Sequence, residues 1–259
     1  MWVPTQRLAA ETVPSAARFW GGMTLLDFDY EEFDDRGDSL DREQGLLPGV
    51  NGGFTYRTPD WRLDGTLRWL SGDADYTAPS AETTTDEEIL DLSLFLGLPL
   101  FSTTGDSLHL IAGGGYHSWW RNIRSTAYAN GIDETYRWPY LLLGLHGEHR
   151  LDAKTELSAG FQLQRTLKPE LSAHFLSDFD DVDLDLKEKT GFRISFGWVR
   201  RLGDDIALQL SPWFEYWELG RSGDQSLTVD GVPVGVVFEP RSETHNIGID
   251  LNLSWRFDL

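Results

Sequence analysis

Between positions 90 and 98 every second residue is leucine, and Asp91, Ser93, Phe95 and Gly97 stand between them. Successive side chains of an extended chain point to opposite faces, so this stretch predicts a strand with one apolar wall and one mixed wall. The C-terminal stretch 244–259 repeats the pattern. Ile247, Ile249, Leu251, Leu253, Trp255, Phe257 and Leu259 share one face, and Asn246, Gly248, Asp250, Asn252, Ser254 and Arg256 share the other. Ordinary globular strands run about five or six residues, whereas a tilted strand that crosses a bilayer needs about 9–11.

Ten such segments can be marked, at 18–30, 46–57, 61–71, 90–98, 107–120, 135–149, 155–167, 190–200, 206–217 and 244–259. Their connections alternate in length. Long polar stretches fall at 31–45, 72–87, 121–134, 168–189 and 218–243, and tight turns fall at Thr58-Pro59-Asp60, Thr103-Thr104-Gly105-Asp106, Leu151-Asp152-Ala153 and Gly203-Asp204-Asp205. Within the last long stretch, Asp230-Gly231 between apolar runs predicts a further hairpin. An even strand count with short turns at one end and long loops at the other is the sidedness of an outer-membrane barrel. The predicted fold is therefore all-β: a ten-stranded antiparallel up-and-down transmembrane barrel over residues 18–259, with both termini periplasmic. A soluble sandwich would have shorter strands and no such alternation.

Composition agrees where it can. Hydrophobic residues are 40% of the chain and mean hydropathy is -0.35. No run approaches the roughly 18 apolar residues of a membrane helix, a test that barrels escape by interleaving. The absence of cysteine excludes disulfides and thiolate chemistry. A net charge of -20 argues against nucleic acid as a partner. Residues 1–17 lack the apolar core of a secretory signal, although Pro14-Ser15-Ala16-Ala17 resembles the remnant of a cleavage region, and a barrel requires a signal upstream.

The charged rows fix the orientation of the wall. Arg62, Asp64, Arg68, Asp91, Glu156, Gln162, Gln164, Arg193, Glu215, Asp250 and Arg256 alternate with apolar rows, and hydrocarbon does not tolerate them at mid-depth. They are expected to line the lumen as a mutually satisfied network. The apolar rows, including Trp20, Thr24, Leu26, Phe28 and Tyr30 of the first segment, are expected to face lipid. Trp20, Trp61, Trp119, Trp120, Trp138, Tyr140, Trp213 and Tyr216, near segment ends, read as interfacial belts.

Function is expected in the loops, where acid concentrates. Asp178, Asp180, Asp181 and Asp183 offer hard oxygen ligands of the kind that hold Ca²⁺ or Mg²⁺. The spacing lacks the glycine and terminal Glu of an EF-hand, and Asp181, Asp183 and Asp185 alternate with Val182, Leu184 and Leu186 as in a strand standing above the membrane. No other cofactor is expected. His109 and His117 lie too far apart along one strand to share a metal, roughly 27 Å at about 3.3 Å per residue.

Ten strands, five long loops and the order of the chain from Trp138-Pro139-Tyr140 onward resemble the omptin family, the outer-membrane endoproteases. In that family an Asp-x-Asp pair just after the third strand faces an Asp-x-His-aromatic element of the fourth external loop, and the two activate a water. The matching positions are Asp73-Ala74-Asp75 and Ser172-Ala173-His174-Phe175. The resemblance implies catalytic roles for Asp73, Asp75 and His174. Ser172 stands where the family has the Asp that orients the histidine, which implies a weaker general base. Asp73 and Asp75 also share the parity of Trp69, so they reach a groove only if Ser71-Gly72 forms a bulge.

The sequence thus predicts an integral outer-membrane protein of surface-binding or structural type, with an omptin-like endoprotease and a narrow solute or ion channel as alternatives. The expected partners are outer-membrane lipid and lipopolysaccharide, an extracellular protein or peptide ligand, and the barrel-assembly machinery. The C-terminal strand resembles the assembly signal of outer-membrane proteins, an alternating strand that ends in an aromatic; here Phe257 precedes the terminal Leu259 in the same row.

Overall fold

The structure is a computed structural model that describes residues 15–79 and 81–258. Among these residues all regular structure is extended: β1 (Ala16–Phe33), β2 (Ser39–Arg57), β3 (Arg62–Ala78), β4 (Ala81–Ser102), β5 (Asp106–Ile123), β6 (Ile132–Arg150), β7 (Thr155–Thr166), β8 (Glu170–Phe175), β9 (Val182–Asp185), β10 (Thr190–Arg201), β11 (Ile206–Leu219), β12 (Gln225–Val229), β13 (Val232–Val237) and β14 (Arg241–Asp258). Ten of them close into an antiparallel barrel in the order β1-β2-β3-β4-β5-β6-β7-β10-β11-β14. The final strand closes on the first, from Ala16 opposite Asp258 to Phe33 opposite Arg241. Closure removes the exposed edges that a free sheet would present. The expected N-terminal segment lies outside the described residues up to position 14, and Ala16 and Ala17 already belong to β1. The terminal Leu259 lies outside them too.

The four tight connections sit at one end, and side chains cap three of them. Thr58 Oγ1 accepts the Asp60 and Trp61 amides at 3.3 and 3.1 Å. Thr103 Oγ1 does the same for Gly105 and Asp106 at 3.4 and 3.0 Å, and Asp152 for Lys154 and Thr155 at 2.7 and 2.9 Å. Short polar side chains that satisfy their own turn are why these positions turn.

A continuous apolar band girdles the outside. On β4 the leucines at 92, 94, 96, 98 and 100 are all exposed. With Leu90 they span roughly 33 Å along the strand at about 3.3 Å per residue, or about 25 Å in height at the usual tilt, the height of an outer-membrane apolar band. The inward set is as expected: Arg62, Asp64, Gln164, Glu215 and Asp250 are buried in the lumen.

Two expectations about the wall are corrected. On β1 it is Phe19, Met23 and Leu25 that are exposed, while Thr24, Leu26, Phe28 and Tyr30 are buried inside. Both faces of this strand are apolar, so alternation alone could not choose between them. Trp119, Trp138, Tyr140 and Trp213 are likewise buried in the lumen and form no belt. The barrel interior is itself a hydrophobic core, and ring size does not tell that core from a lipid interface. Trp120 is exposed, as are the further rings Trp69 and Trp255.

At the other end the sheet continues beyond the band. Most of the predicted loops 31–45 and 72–87 is strand: β1 and β2 pair out to Glu32 opposite Asp41, and β3 and β4 to Ala78 opposite Ala81. The outward row changes from apolar to charged there, with Asp27 and Asp29 on β1 and Glu88 on β4, so these extensions stand above the band. The stretch after β7 is also sheet. Lys168 takes φ 42°, and past that break β8 resumes the pairing with β6, from Arg137 opposite Glu170. Thr166 lies opposite Tyr140, so the partner sum rises by one across the break, an extra residue of the kind a bulge inserts. β9 folds back on β8. The predicted Asp230-Gly231 hairpin is present as β12 and β13. Both turn residues have positive φ, 51° and 76°, as a two-residue hairpin turn of right-handed strands requires.

Candidate functional site

The residues singled out by the omptin resemblance do not converge. β3 pairs with β2 and β4 without a register shift, so no bulge forms at Ser71-Gly72 and Asp73 and Asp75 stay on the outer face. Asp73 meets Arg124 at 3.5 Å, and Arg124 also binds Asp86. His174 lies on β8, four strands further round the wall, and its Nδ1 is 2.6 Å from Asp181 Oδ1 with both side chains more than half exposed. An aspartate partner for His174 therefore exists, supplied across the β8–β9 hairpin rather than at Ser172. Ser172 instead donates to Asp183 at 2.7 Å.

The acidic loop residues are used in the same way. Asp180 Oδ2 accepts from Thr228 Oγ1 at 2.6 Å and from the Gly231 amide at 2.9 Å, tying the two hairpins together. The Thr228 hydroxyl, followed by that amide, holds the Asp180 carboxyl below its ordinary range. Asp181 and Asp183 are turned to His174 and Ser172. Among the described residues no group of three or more His, Asp or Glu side chains is placed to hold a metal ion.

The concentrated chemistry lies in the lumen, above the level of the band. Arg121 is buried at 1% exposure. Its Nη2 is 2.6 Å from Glu43, and its Nη1 is 3.2 Å from both Glu32 and Glu134. The guanidinium lies over the rings of Tyr30 and Trp119, at 5.0 and 5.6 Å. Glu239 closes the group from the segment between β13 and β14, accepting from Tyr136 Oη at 2.7 Å. Glu87 accepts from Trp119 Nε1 at 2.5 Å, and Asp41 from Tyr76 Oη at 3.3 Å. Six carboxyl groups thus share one cation.

Charge balance in a buried site requires protons on several of these groups. Burial raises Asp41 to about 8 and Glu134 to about 7, with Glu32 the leading like charge on Asp41. Burial also drives Glu43, Glu87 and Glu239 upward. Glu43 and Glu87 stand on either side of β3, whose small inward residues Gly72 and Ala74 leave them room to meet. Glu43 Oε2 and Glu87 Oε1 are buried with no other partner, and one shared proton satisfies both.

Below this mouth the lumen is filled in layers. Trp119 stacks on Tyr136 at 4.7 Å and meets Phe28 and Tyr30 edge-on. Next, His117 stacks on Trp138 at 4.3 Å, with Trp217 against Trp138 and Tyr140. His117 Nδ1 is 3.2 Å from Asp91, which also accepts from Tyr140 Oη. Then Arg68 and Arg193 press on Trp213 at 4.4 and 4.1 Å and pair with Asp250 and Glu215. Nearest the turns, Arg62 bridges Asp64 and Glu148.

Sequence reasoning placed Glu32, Asp41, Glu43, Glu87 and Glu134 in loops. A signal was present: Tyr30-x-Glu32, Trp119-x-Arg121 and Glu134-x-Tyr136 continue the inward parity of their strands past the apolar band.

No family model matches the sequence, and no curated protein matches it. The fold does have solved counterparts. The outer membrane protease OmpT from Escherichia coli superposes with a TM-score of 0.70 at 11% identity, over 98% of this chain and 100% of that one. The outer membrane protein OprG from Pseudomonas aeruginosa gives a TM-score of 0.50 at 10% identity, over 96% and 99%. At these identities the likeness is one of fold: this chain has the architecture of a small outer-membrane β-barrel.

Proposed function

We propose that the chain is an integral outer-membrane protein with periplasmic termini, working as a surface-binding or structural envelope component. Its acting parts would be the sheet and hairpins that stand above the apolar band, in contact with lipopolysaccharide and with an extracellular protein or peptide. The stacked aromatic and ion-pair layers that fill the lumen carry this reading, because a barrel blocked at mid-height has only its outside to offer. The same layers argue against the solute-channel alternative. The endoprotease alternative has less support, since Asp73 and Asp75 face outward four strands away from His174. Insertion by the barrel-assembly machinery fits the closure of β14 on β1.

The absence of native cysteine makes the test direct. Single cysteines at Gly231 and at Asp204 report the two ends. A membrane-impermeant maleimide applied to intact cells should label Gly231→Cys and spare Asp204→Cys; the reverse would invert the orientation. Purified protein should give no single-channel conductance and no peptide cleavage. Conductance of the parent protein, or peptide cleavage that is lost in His174→Ala, would replace the surface-binding reading.

A further inference from the structure

The outer wall is not smooth where it faces lipid. Across β2 to β5 it holds a groove of about 620 Å³, whose lining includes Gly65, Gly114, Leu67, Leu92, Leu94 and Tyr116. These residues form two cross-strand rows. Leu67 lies opposite Leu92 and Leu92 opposite Tyr116, while Gly65 lies opposite Leu94 and Leu94 opposite Gly114. The glycines keep the second row low. A β-carbon at Gly114 would sit 2.8 Å from the Tyr140 carbonyl oxygen, and one at Gly65 would sit 2.4 Å from the Phe54 ring, which lies over the strand there.

The groove belongs to the outer half of the apolar band. Leu94 and Glu88 are six residues apart on β4, roughly 20 Å along the strand at about 3.3 Å per residue. At the tilt of such strands that is about 15 Å of height, one leaflet of a hydrocarbon core about 30 Å thick. A chain hung from the level of Glu88 therefore ends at the floor of the groove. Because the groove is continuous with the band on either side, lipid is what meets it.

The residues above the groove select the lipid. Glu88 is exposed on the outer face and lies directly opposite Trp120 on β5. From the β3 side, Trp69 Nε1 donates to Glu88 at 3.0 Å. Both indoles are exposed, Trp69 to 41% and Trp120 to 38%. A carboxylate between two exposed indoles suits an ammonium group, through its charge and through the ring quadrupoles. One row higher, Asp73 lies opposite Asp86, and the two share Arg124, so the three carboxylates carry a net negative charge. An anionic headgroup is repelled here. A second copy of the chain fits no better, since a two-fold contact sets hollow against hollow and acid against acid.

We propose that the groove and the Trp69–Glu88–Trp120 group together form a docking site for one phospholipid with an ammonium headgroup, of the phosphatidylethanolamine or phosphatidylcholine class. Its acyl chain lies in the groove along Leu92 and Leu94, and its ammonium sits at Glu88. The site needs only the membrane-spanning fold and stands whether or not the loops bind a protein.

Native mass spectrometry of the detergent-solubilised protein counts the lipids it retains. The probes are saturated phosphatidylethanolamine, phosphatidylcholine and phosphatidylglycerol of equal chain length. The expected result is one phosphatidylethanolamine or phosphatidylcholine retained first, with phosphatidylglycerol at least about fivefold weaker. Glu88→Gln should bring the three headgroups level. Leu94→Trp, which fills the groove, should weaken all three several-fold, and Leu145→Trp, at an exposed position outside the groove, should change nothing. Heat-modifiable migration confirms that each variant is folded, and Leu67→Trp replaces Leu94→Trp if the latter does not fold. Equal retention of the three headgroups by the parent, or a preference that survives Glu88→Gln, would overturn the headgroup assignment. Retention unchanged by the groove-filling variant would overturn the docking site, as would a protein dimer that the same variant abolishes.

Discussion

Replacing Glu134 by glutamine tests the proton balance of the lumen mouth. Glu134 is buried at 8% exposure and shares Arg121 with Glu32 and Glu43. Burial raises it from its ordinary value near 4.5 to about 7. Between those two values the folded protein holds a proton that the unfolded chain has released. Stability therefore falls as pH rises from about 4.5 to about 7 and is level beyond, for this group taken alone. A shift of about 2.5 units at 1.36 kcal/mol each is about 3 kcal/mol of lost stability. Glu134→Gln keeps the size and the hydrogen-bonding capacity of the protonated acid and cannot ionise. Urea unfolding of the micelle-embedded protein, followed by tryptophan fluorescence at pH 5, 6, 7 and 8, should show the parent weakening across this window. The variant should be flatter by about 3 kcal/mol and hence the more stable at pH 8. A parent whose stability is constant or rises from pH 5 to pH 8, or a variant with the parent's slope, would refute the argument that six acids here share one cation.

Other expectations follow from the same geometry. Arg121→Met strips the cation from the mouth and should destabilise by about 3–5 kcal/mol at pH 8, with a smaller loss at pH 5, where protonation substitutes for the missing charge; equal losses at both would contradict the assignment. Leu94→Arg, at the middle of the outer band, should cost about 2–4 kcal/mol in unfolding from lipid vesicles, and no loss would move the band. Asp73→Ala and His174→Ala, on exposed positions with solvated partners, should each stay within about 0.5 kcal/mol of the parent, as read by unfolding midpoint. Trp138→Ala should cost about 3–5 kcal/mol through the void it leaves, and unchanged stability would mean that the mid-lumen layer is loosely packed.

The barrel was legible because a period of two imposed over a bilayer's thickness is hard to mimic. Leu90 to Leu98 and Ile247 to Phe257 carry it without interruption. Legibility failed where both walls are apolar or both are charged. On β1, Leu25 and Leu26 offer equal hydrophobicity to lipid and lumen, and only the partners across the barrel choose. Glu32 and Glu43 looked like solvated loop acid, because the band ends below them and composition gives no sign that a sheet goes on. The Asp73/Asp75/His174 constellation is left unassembled for a different reason. A motif fixes spacing along the chain, whereas its chemistry depends on which side of a wall each residue occupies, and one absent bulge at Ser71-Gly72 settled that.

The layered lumen also constrains how such a chain can come to be folded. Arg121 reaches Glu32 across 89 residues and Tyr136 reaches Glu239 across 103, while Arg68 meets Asp250 across 182. No hairpin or run of neighbouring strands contains a complete layer. A soluble domain can collapse around its core and then finish its sheet, but here the ring must be joined before the rings and ion pairs inside have anything to pack against. The interior is thus the last part to dry. Until β14 meets β1, the acids of the mouth remain in water, ionised and mutually repelling, and the protons they later hold are taken up only as the wall seals. Assembly of this barrel is then an event that consumes protons, and its final step should run faster in acid than in alkali.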